Sequence, residues 1–323
     1  MHDLLTAATL GRRVSVRRHA EGAPGKQTDV LGYLLDVTRD HIDVLSRGAV
    51  VTVPRAAVTA ARVVPPATPR RGWAVPDISP DDLQRVCWAG WPARDQEPLG
   101  DWALRAHGGV TGRANSAMAV GDPGMPLAEA LARTAEWYAD RALPPLLQLP
   151  LADPANGPMG DAGWERAHVT VVQVAPIGPV LASLAAPEGL RAAVASTPSP
   201  EWLSLMHDLE AGDPEAHVAI LTGPRVVGFV TVYDEGASGE PVGIGRVSVE
   251  GTWAGVTSVD VAPGARRRGV GSAVMGALLG WAGEQGAVSS YLQVRAGNPA
   301  ALRLYDALGY VTHHPYCYRT LGP

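Results

Sequence analysis

A basic, glycine-rich turn stands out among the residues whose types and spacing could do chemistry. Residues 266–272 read Arg-Arg-Arg-Gly-Val-Gly-Ser, and they lie between a β-branched run, residues 256–261, and a helical pattern that ends near Gly286. A helix start leaves four backbone N–H groups unpaired, and the helix dipole favours negative charge there. Glycines let a ligand approach the backbone closely. Residues 255–286 therefore predict a strand, an anion-binding turn and a helix, with a phosphate or pyrophosphate as the ligand.

Two common phosphate-binding motifs do not fit this turn. A Walker loop ends in Gly-Lys-Ser/Thr, and the only lysine of the chain is Lys26. A Rossmann fingerprint has a third glycine where this chain has Val274. The turn therefore indicates another class of phosphate-binding loop.

A second stretch, residues 291–310, reads YLQVRAGNPAALRLYDALGY. It predicts a short strand, an Asn, a helix that carries a Tyr, and then Leu-Gly-Tyr. The first stretch has the pattern Arg266-x-x-Gly269-x-Gly271 after a strand that ends Val261-x-Pro263. In this order, the two stretches resemble the acyl-coenzyme A loop and the following strand and helix of the GNAT (GCN5-related) N-acetyltransferases. The resemblance covers residues 195–323 well and residues 83–190 loosely.

The resemblance implies roles for particular residues in binding acetyl-CoA. Backbone N–H groups of residues 267–272 would hold the pyrophosphate. The strand around Val259 would splay from the strand that begins at Tyr291, so that the pantetheine arm could pair with exposed backbone, and a free N–H there would polarise the thioester. Asn298 would contact the arm and also cap a helix. The implied cofactor-binding residues are Val259, Val261, Arg266, Arg267, Arg268, Gly269, Val270, Gly271, Ser272 and Asn298.

The resemblance also implies a catalytic acid, whereas the base is open. Tyr305 matches the family's Tyr near the sulfur and would protonate the leaving thiolate. Glu250 and Asp260 lie near the right strands and are the candidates for the base. The adjacent His313 and His314 are expected at the surface rather than in catalysis.

Composition limits the class of protein. The chain has 323 residues, 46 % hydrophobic and 18 % charged, with a net charge of −5. This length favours two or three domains, and the charge gives no general nucleic-acid footprint. The two cysteines, Cys87 and Cys317, lie in no ligand cluster, so we expect free thiols and no metal site. No signal peptide and no apolar run long enough for a membrane span are found, so a cytoplasmic location is expected.

The predicted fold class is α/β (α+β), a tandem GNAT-like fold with a mixed central sheet after a small all-β SH3-like barrel. The predicted units are the barrel (1–65), a Pro-rich linker (66–82), a degenerate GNAT-like half (83–190) and an acetyl-CoA-binding half (191–323). The following local elements are predicted: strands at 113–120, 146–149, 168–174, 218–221 and 226–232, a helix at 126–141, a connector at 176–198, a helix from Ser199 with Leu209 in its apolar stripe, and a Gly-rich loop at 234–245.

The predicted function is acetyl transfer from acetyl-CoA to the primary amine of a small molecule. The domain combination resembles a group that carries the provisional name N-acetylglutamate synthase, so an amino acid such as glutamate is one option. Such a substrate would need an arginine clamp, with Arg113, Arg225, Arg246 and Arg295 as candidates. Two alternatives stay open: an acetyl-CoA sensor with little turnover, and a transferase for protein or aminoglycoside-type amines. A homodimer is expected from analogy only.

Overall fold

The computed structural model contains two β-sheets with eight α-helices in the part of the chain that it describes, residues 5–20, 25–184, 188–206, 213–236 and 239–322. The first sheet has five strands and the second has eleven. Both cysteines are buried and unpaired, as expected. None of the described helices combines the length and apolar character that a bilayer crossing needs.

The N-terminal sheet is antiparallel, with strand order β4-β3-β2-β1-β5. Its strands are β1 (Arg13–His19), β2 (Gln27–Val37), β3 (His41–Ser46), β4 (Ala49–Pro54) and β5 (Val58–Val63). Arg47 and Gly48 both have positive φ angles, which is the geometry of a tight two-residue hairpin turn between β3 and β4. The all-β prediction for this region is confirmed. Its description as an SH3-like barrel stays a prediction, because no hydrogen-bonded pair joins β4 to β5 among the described residues.

The segment after β5 is irregular up to Ser79, as predicted for a linker, but it is packed against the rest of the protein. Trp73 covers Gly309, whose Cβ position would lie 2.4 Å from the indole ring. Arg70 donates a hydrogen bond to the carbonyl oxygen of Ala307 at 2.9 Å. Helix α1 (Pro80–Ala89) begins inside the predicted linker, because the Ser79 side chain caps it.

The second sheet runs through the remainder of the chain in the order β11-β12-β13-β14-β15-β10-β16-β9-β8-β7-β6. Its strands are β6 (Asp95–Leu99), β7 (Trp102–Ala106), β8 (Ala117–Met118), β9 (Leu146–Pro150), β10 (Trp164–Pro176), β11 (Leu190–Ala195), β12 (Val227–Asp234), β13 (Pro241–Glu250), β14 (Trp253–Val261), β15 (Ser289–Arg295) and β16 (Val311–Leu321). The helices are α2 (Leu127–Ala139), α3 (Asn156–Asp161), α4 (Ile177–Ser183), α5 (Pro200–Ser204), α6 (Pro214–Thr222), α7 (Val270–Glu284) and α8 (Pro299–Ala307).

The last strands of the two predicted halves are exchanged at the centre of this sheet. Strand β10, from the front half, pairs with both β15 and β16. Strand β16, from the rear half, pairs with β9. The parallel pairs β8–β9 and β14–β15 lie on opposite sides of this centre. The boundary at residue 190 stays a prediction, and the strand exchange ties the two segments into a single sheet.

Four local predictions need correction. Of the strand predicted at 113–120, only the two residues of β8 form a strand, because the residues before them form a turn around the Asn115 side chain. The predicted connector 176–198 contains α4 and β11. The predicted loop 234–245 is shorter, since β13 begins at Pro241.

The fourth correction concerns residues 218–221, which belong to helix α6 and not to a strand. Asp213 caps this helix by accepting hydrogen bonds from two backbone N–H groups, and Pro214 occupies its first turn. A short apolar run does not distinguish a buried strand from a buried helix, so the pattern alone was ambiguous. Helix α5 starts at the predicted Ser199 cap but is short, and Leu209 lies outside the described residues.

Candidate active site

Strand β14 opens away from β15 halfway along its length. The two strands pair in parallel only from Trp253–Ser289 to Val256–Leu292. Beyond that point β14 has a bulge, where Ser258 has φ 52° and the register with β13 shifts. A bulge re-aims a strand and ends its pairing. The predicted splay is therefore present, and it leaves one backbone edge of residues 257–261 without a strand partner.

A cavity of about 650 Å³ fills the gap between the separated strands. Its lining includes Thr257, Ser258, Val259 and Asp260 from β14, residues 293–298 from β15 and the following turn, and Ala301 and Tyr305 from α8. A cleft of this size with a free strand edge can take an extended, amide-containing chain.

The basic turn lies directly after the open edge and leads into helix α7. Gly269 is the N-cap residue of the helix and has φ 81°, which a glycine adopts at little cost. Arg267 also has a positive φ, 62°. In the described part of the chain, the backbone N–H groups of residues 267–272 have no hydrogen-bond acceptor. Unpaired donors at a helix start are an arrangement that can bind an anion. The anion-binding role of this turn stays a prediction.

The three arginines of the turn have different surroundings. Arg268 forms an ion pair with Asp234 at 2.6 Å, and this carboxylate is 7 % exposed. Arg266 donates a long hydrogen bond, 3.4 Å, to the carbonyl of Val261. Arg267 is exposed, and its guanidinium has no partner among the described residues. Arg267 is thus the arginine that is most available to an anion.

Helix α8 brings Asn298 and Tyr305 to the same cavity. The Asn298 side chain accepts a hydrogen bond from the backbone N–H of Ala301 at 3.1 Å, so it is a helix cap. Tyr305 is 7 % exposed, and its hydroxyl has no hydrogen-bond partner in the described residues. Burial raises the pKa of Tyr305 to about 12, so the phenol keeps its proton at neutral pH.

The two predicted base candidates lie far apart: Asp260 is near the end of β14, and Glu250 is the last residue of β13. Asp260 lines the cavity, and its carboxylate accepts a hydrogen bond from the backbone N–H of Val261 at 2.9 Å. Glu250 is exposed and faces Trp253 across the β13–β14 hairpin. The hairpin is at the end of the strand away from the cavity, so the geometry does not bring Glu250 to the site. Val261 is half-buried and packs beside Gly271.

A second compartment of about 510 Å³ adjoins the first. Residues that line both cavities are His168, Met206, Thr257, Ser258, Gln293 and Arg295. The rest of the second compartment's lining includes aromatic and basic side chains, namely Trp91, Arg113, His217, Tyr316 and Tyr318. The two spaces meet where β14 and β15 separate, which is where a bound thioester would face an amine.

His168 is a residue of the junction that the sequence analysis did not single out. It lies on β10, and its ring centroid is 4.7 Å from that of Tyr318. Desolvation, and then the nearby positive charge of Arg295, lowers the pKa of His168. The imidazole is therefore neutral at pH 7 and able to accept a proton. Only the exchange of β10 into the rear half brings it to the cavity, and no local pattern encodes that pairing.

His313 and His314 are not at the surface, which corrects their predicted placement. His314 is 5 % exposed and contacts the Gln84 side chain at 2.9 Å and His313 at 2.7 Å. The chain of hydrogen bonds continues from Gln84 to Gln148 and Arg105. It is consistent with two neutral rings, because each ring then donates once and accepts once. These histidines hold the centre of the sheet together and do not line either cavity.

A group of three potential metal ligands lies in the N-terminal sheet. Atoms of Asp36, His41 and Asp43 are within 4.8 Å of one another. Each already has a protein partner: Asp36 contacts Arg166, His41 contacts the Thr38 hydroxyl, and Asp43 accepts a hydrogen bond from Thr52. None of these three residues lines either cavity. The expectation of no metal stays a prediction.

Comparison with known proteins assigns the chain. The family described as "Probable histone acetyltransferase Rv0428c C-terminal" matches residues 82–319. The chain belongs to this family. The match leaves out the five-stranded N-terminal sheet and begins within α1.

Individual relatives agree with the family assignment. The "Probable histone acetyltransferase Rv0428c" of Mycobacterium tuberculosis is 29 % identical over 318 residues, which is 94 % of this chain and 93 % of that protein. The "Uncharacterized N-acetyltransferase YobR" of Bacillus subtilis is 28 % identical over 242 residues, 72 % of this chain and 96 % of the relative. Both relatives are named as acetyltransferases and align over most of this chain, so the predicted enzyme class, N-acetyltransferase, is confirmed.

A solved structure confirms the fold. The GCN5-related N-acetyltransferase from Kribbella flavida superposes with a TM-score of 0.58, at 19 % identity, over 75 % of this chain and 95 % of that one. The resemblance of this Rv0428c-family chain to the GNAT N-acetyltransferases is therefore confirmed. The SH3-like nature of the first sheet and the vestigial nature of the front half stay predictions.

Proposed function

We propose that this protein transfers the acetyl group of acetyl-CoA to a primary amine of a small molecule. The observation that carries the proposal is the order of three features: the free edge of β14 and Tyr305 line one cavity, and the unpaired N–H groups of residues 267–272 follow this edge in the chain. An anion cradle, an open strand edge and an acid stand in the order that a long phosphorylated thioester needs.

Acetyl-CoA would supply the activated acetyl group, and the chain would hold it at two places. The backbone donors of the turn would bind the pyrophosphate, with Arg267 adding charge. The free backbone of residues 257–261 would pair with the amides of the arm, as an added strand does. A backbone N–H at the end of this edge would also stabilise the oxyanion that forms on the thioester carbonyl.

Two different residues that line the first cavity, His168 and Tyr305, would carry out the two proton transfers. The amine must lose a proton before or during its attack on the thioester carbon, and we assign this proton to the neutral imidazole of His168. The C–S bond then breaks, and the Tyr305 hydroxyl gives its proton to the departing thiolate. Asp260 is the alternative acceptor, since it lines the cavity on the other strand.

Two other functions remain as alternatives to small-molecule acetylation. A sensor would bind acetyl-CoA without using Tyr305 or His168. A protein acetyltransferase would act on lysine side chains, as the name of the Mycobacterium relative suggests for that protein. The second compartment, with a volume of about 510 Å³ beside the acetyl-CoA cavity, has room for a small acceptor, and this supports small-molecule acetylation.

The first experiment combines binding with turnover. Thermal unfolding is measured with acetyl-CoA, CoA and NAD, and thiol release from acetyl-CoA is measured with a panel of amino acids, polyamines, aminoglycosides and a lysine-rich peptide. We expect acetyl-CoA and CoA to stabilise the protein and NAD to have no effect.

Tyr305→Phe separates an enzyme from a sensor. Loss of the acid should lower kcat by about 100-fold and leave acetyl-CoA binding unchanged. A shift with acetyl-CoA but no thiol release with any amine would favour the sensor. Turnover with the peptide alone would favour a protein acetyltransferase, and no shift at all would overturn the proposal.

A further inference from the structure

The second compartment has an excess of positive charge and hydrogen-bond donors. Its lining contains Arg113 and Arg295, and none of the described residues that line it is acidic. In the described part of the chain neither arginine has an ion pair or an acceptor for its side chain. Arg295 is exposed, whereas Arg113 is half-buried. A cation that is partly removed from water without a counter-charge is unfavourable, so the space beside Arg113 is suited to an anion.

The Nε of Arg113 is a buried donor of this compartment with no acceptor among the described residues. The Nε2 of Gln293 is also shielded from solvent, but the Gln293 amide interacts with the Cys87 thiol, which is not part of the lining. The Oε1 of Gln293 accepts a hydrogen bond from Tyr316 at 2.7 Å. Buried donors are normally satisfied, so the Nε of Arg113 indicates an oxygen atom of a ligand.

The position of Arg113 is fixed by its neighbours. Its guanidinium lies 5.0 Å from the centre of the Trp91 ring, and the Trp91 indole N–H donates to Thr111 at 3.1 Å. Arg246 lies 5.1 Å from the same ring, but its three donors already have neutral acceptors, including the Thr257 hydroxyl and the Leu221 carbonyl. Arg246 is therefore structural, and Arg113 is the arginine that is free to bind.

The remaining lining is mixed, and polar residues such as Thr170 and His217 lie beside an aromatic part. In the aromatic part, Tyr316 and Tyr318 pack edge to face at 5.6 Å, with Met206 and Val110 in the same lining. This part of the lining favours an apolar or planar group on the ligand. The first cavity would hold acetyl-CoA, and it meets the second compartment at His168. An amine bound in the second compartment would therefore have its nitrogen near His168 and facing the thioester.

We propose that the second compartment selects an amine that carries a carboxylate, namely a free α-amino acid with an apolar or aromatic side chain, with the carboxylate bound by Arg113. This inference rests on the proposed function, because it names the acceptor class of the same site. It disfavours polyamines and aminoglycosides, whose positive charge Arg113 and Arg295 would repel.

The test compares amines that differ only in the carboxylate. Thiol release from acetyl-CoA is measured with phenylalanine, leucine and glutamate and with the carboxamide of each. We expect kcat/KM for phenylalanine and leucine to exceed that of their amides by about tenfold or more, the usual value of a charge-assisted hydrogen bond. Amidation also lowers the pKa of the amine and raises the fraction of free base, so chemical reactivity alone would favour the amides.

Variants of Arg113 give the matched comparison. Arg113→Gln should remove the preference for the acid over the amide, and Arg113→Lys should restore part of it through the charge. Arg225→Gln is the control, because Arg225 is exposed and lines neither cavity. The acid-to-amide ratio is read within each protein, so a general loss of stability in a variant does not mimic the effect.

A binding measurement separates this inference from the proposed function. N-acetylphenylalanine and its amide are titrated into the CoA-saturated protein by calorimetry. Tighter binding of the acid that depends on Arg113 supports the inference even if no amine is turned over. Equal binding of acid and amide, or faster turnover of polyamines or amides, would overturn it while leaving acetyl transfer intact.

Discussion

The large sheet contains two helix-start turns at comparable places, one after β8 and one after β14, and they use their backbone donors differently. In the front turn, the Asp122 N–H donates to the Asp101 carboxylate at 2.9 Å, and the Gly124 N–H donates to the Asp122 carboxylate at 2.8 Å. The front turn therefore fills its own anion site with its own carboxylates. In the rear turn, the N–H groups of residues 267–272 have no acceptor within the described residues.

The difference shows that topology alone does not make a ligand site. Both turns follow a strand that is paired in parallel with the next strand, β8 with β9 and β14 with β15. The front strand has only two residues, whereas β14 continues past its pairing and leaves an edge free. A site needs both free donors and free space, and only the rear turn has them.

The same substitution in both turns tests whether only the rear turn binds acetyl-CoA, and we expect it to give the largest effect. Gly269→Glu places a carboxylate at the rear helix start, where it repels a bound anion. The positive φ of this position is also unfavourable for Glu. We therefore expect acetyl-CoA affinity to fall by at least about 100-fold. Gly124→Glu is the matched control, because Gly124 also has a positive φ, 74°. Calorimetry with acetyl-CoA measures both variants. A comparable loss in Gly124→Glu would mean that the front turn also binds the ligand.

The second test asks whether the front half contributes to the chemistry through β10. Replacing the imidazole in His168→Asn should lower kcat by about 100-fold with little change in the affinity for acetyl-CoA. Because the pKa of His168 is lowered, the acidic limb of the kcat profile should lie below pH 6.5 in the wild type and disappear in the variant. The assay is thiol release at saturating amine from pH 5 to 9. If the limb persists in His168→Asn and disappears in Asp260→Asn, Asp260 is the base instead.

The third test concerns stability at the centre of the sheet, where the two halves meet. The pKa of His314 is held well below its usual value by burial and then by His313, so the unfolded chain binds more protons below about pH 6.5. The free energy of unfolding should therefore fall by about 2 kcal/mol between pH 7 and pH 5. In His314→Gln, the free energy of unfolding should change less over the same pH range. Urea unfolding at each pH measures this. His19→Gln, at an exposed position, should keep the wild-type slope.

Much of the rear site could be predicted from sequence because its signals are local. The Gly269 cap, the Asn298 cap and the position of Tyr305 follow from residues only a few positions apart. The pairing of β10 with β15 joins Thr170 to Arg295, and no local pattern specifies it. For this reason the sequence analysis missed His168 at the junction.

The errors in the predicted fold also arise from contacts between residues that are distant in sequence. Residues 218–221 are four consecutive apolar residues, although Ala219 is exposed and only Ile220 and Leu221 are buried. Such a short run shows neither helix nor strand periodicity, so the two could not be told apart. His313 and His314 are polar, yet they are buried by a network that reaches Gln84 and Arg105, far away in sequence. Long-range partners decide such cases, and composition does not reveal them.

The smallest effect expected is at the arginine of the rear turn that has no partner. Arg267→Gln removes one exposed charge beside the anion site, so we expect acetyl-CoA to bind about fivefold more weakly at low salt, with the difference shrinking at 0.5 M salt as screening increases. Arg133→Gln on the front helix α2 is the matched control, since Arg133 is equally cationic and 54 % exposed but pairs with Glu97. Calorimetry at the two salt concentrations measures both. If Arg267→Gln and Arg133→Gln bind acetyl-CoA equally, the ligand is held by the backbone donors of the rear turn, and the side-chain charge that distinguishes the two turns contributes nothing to binding.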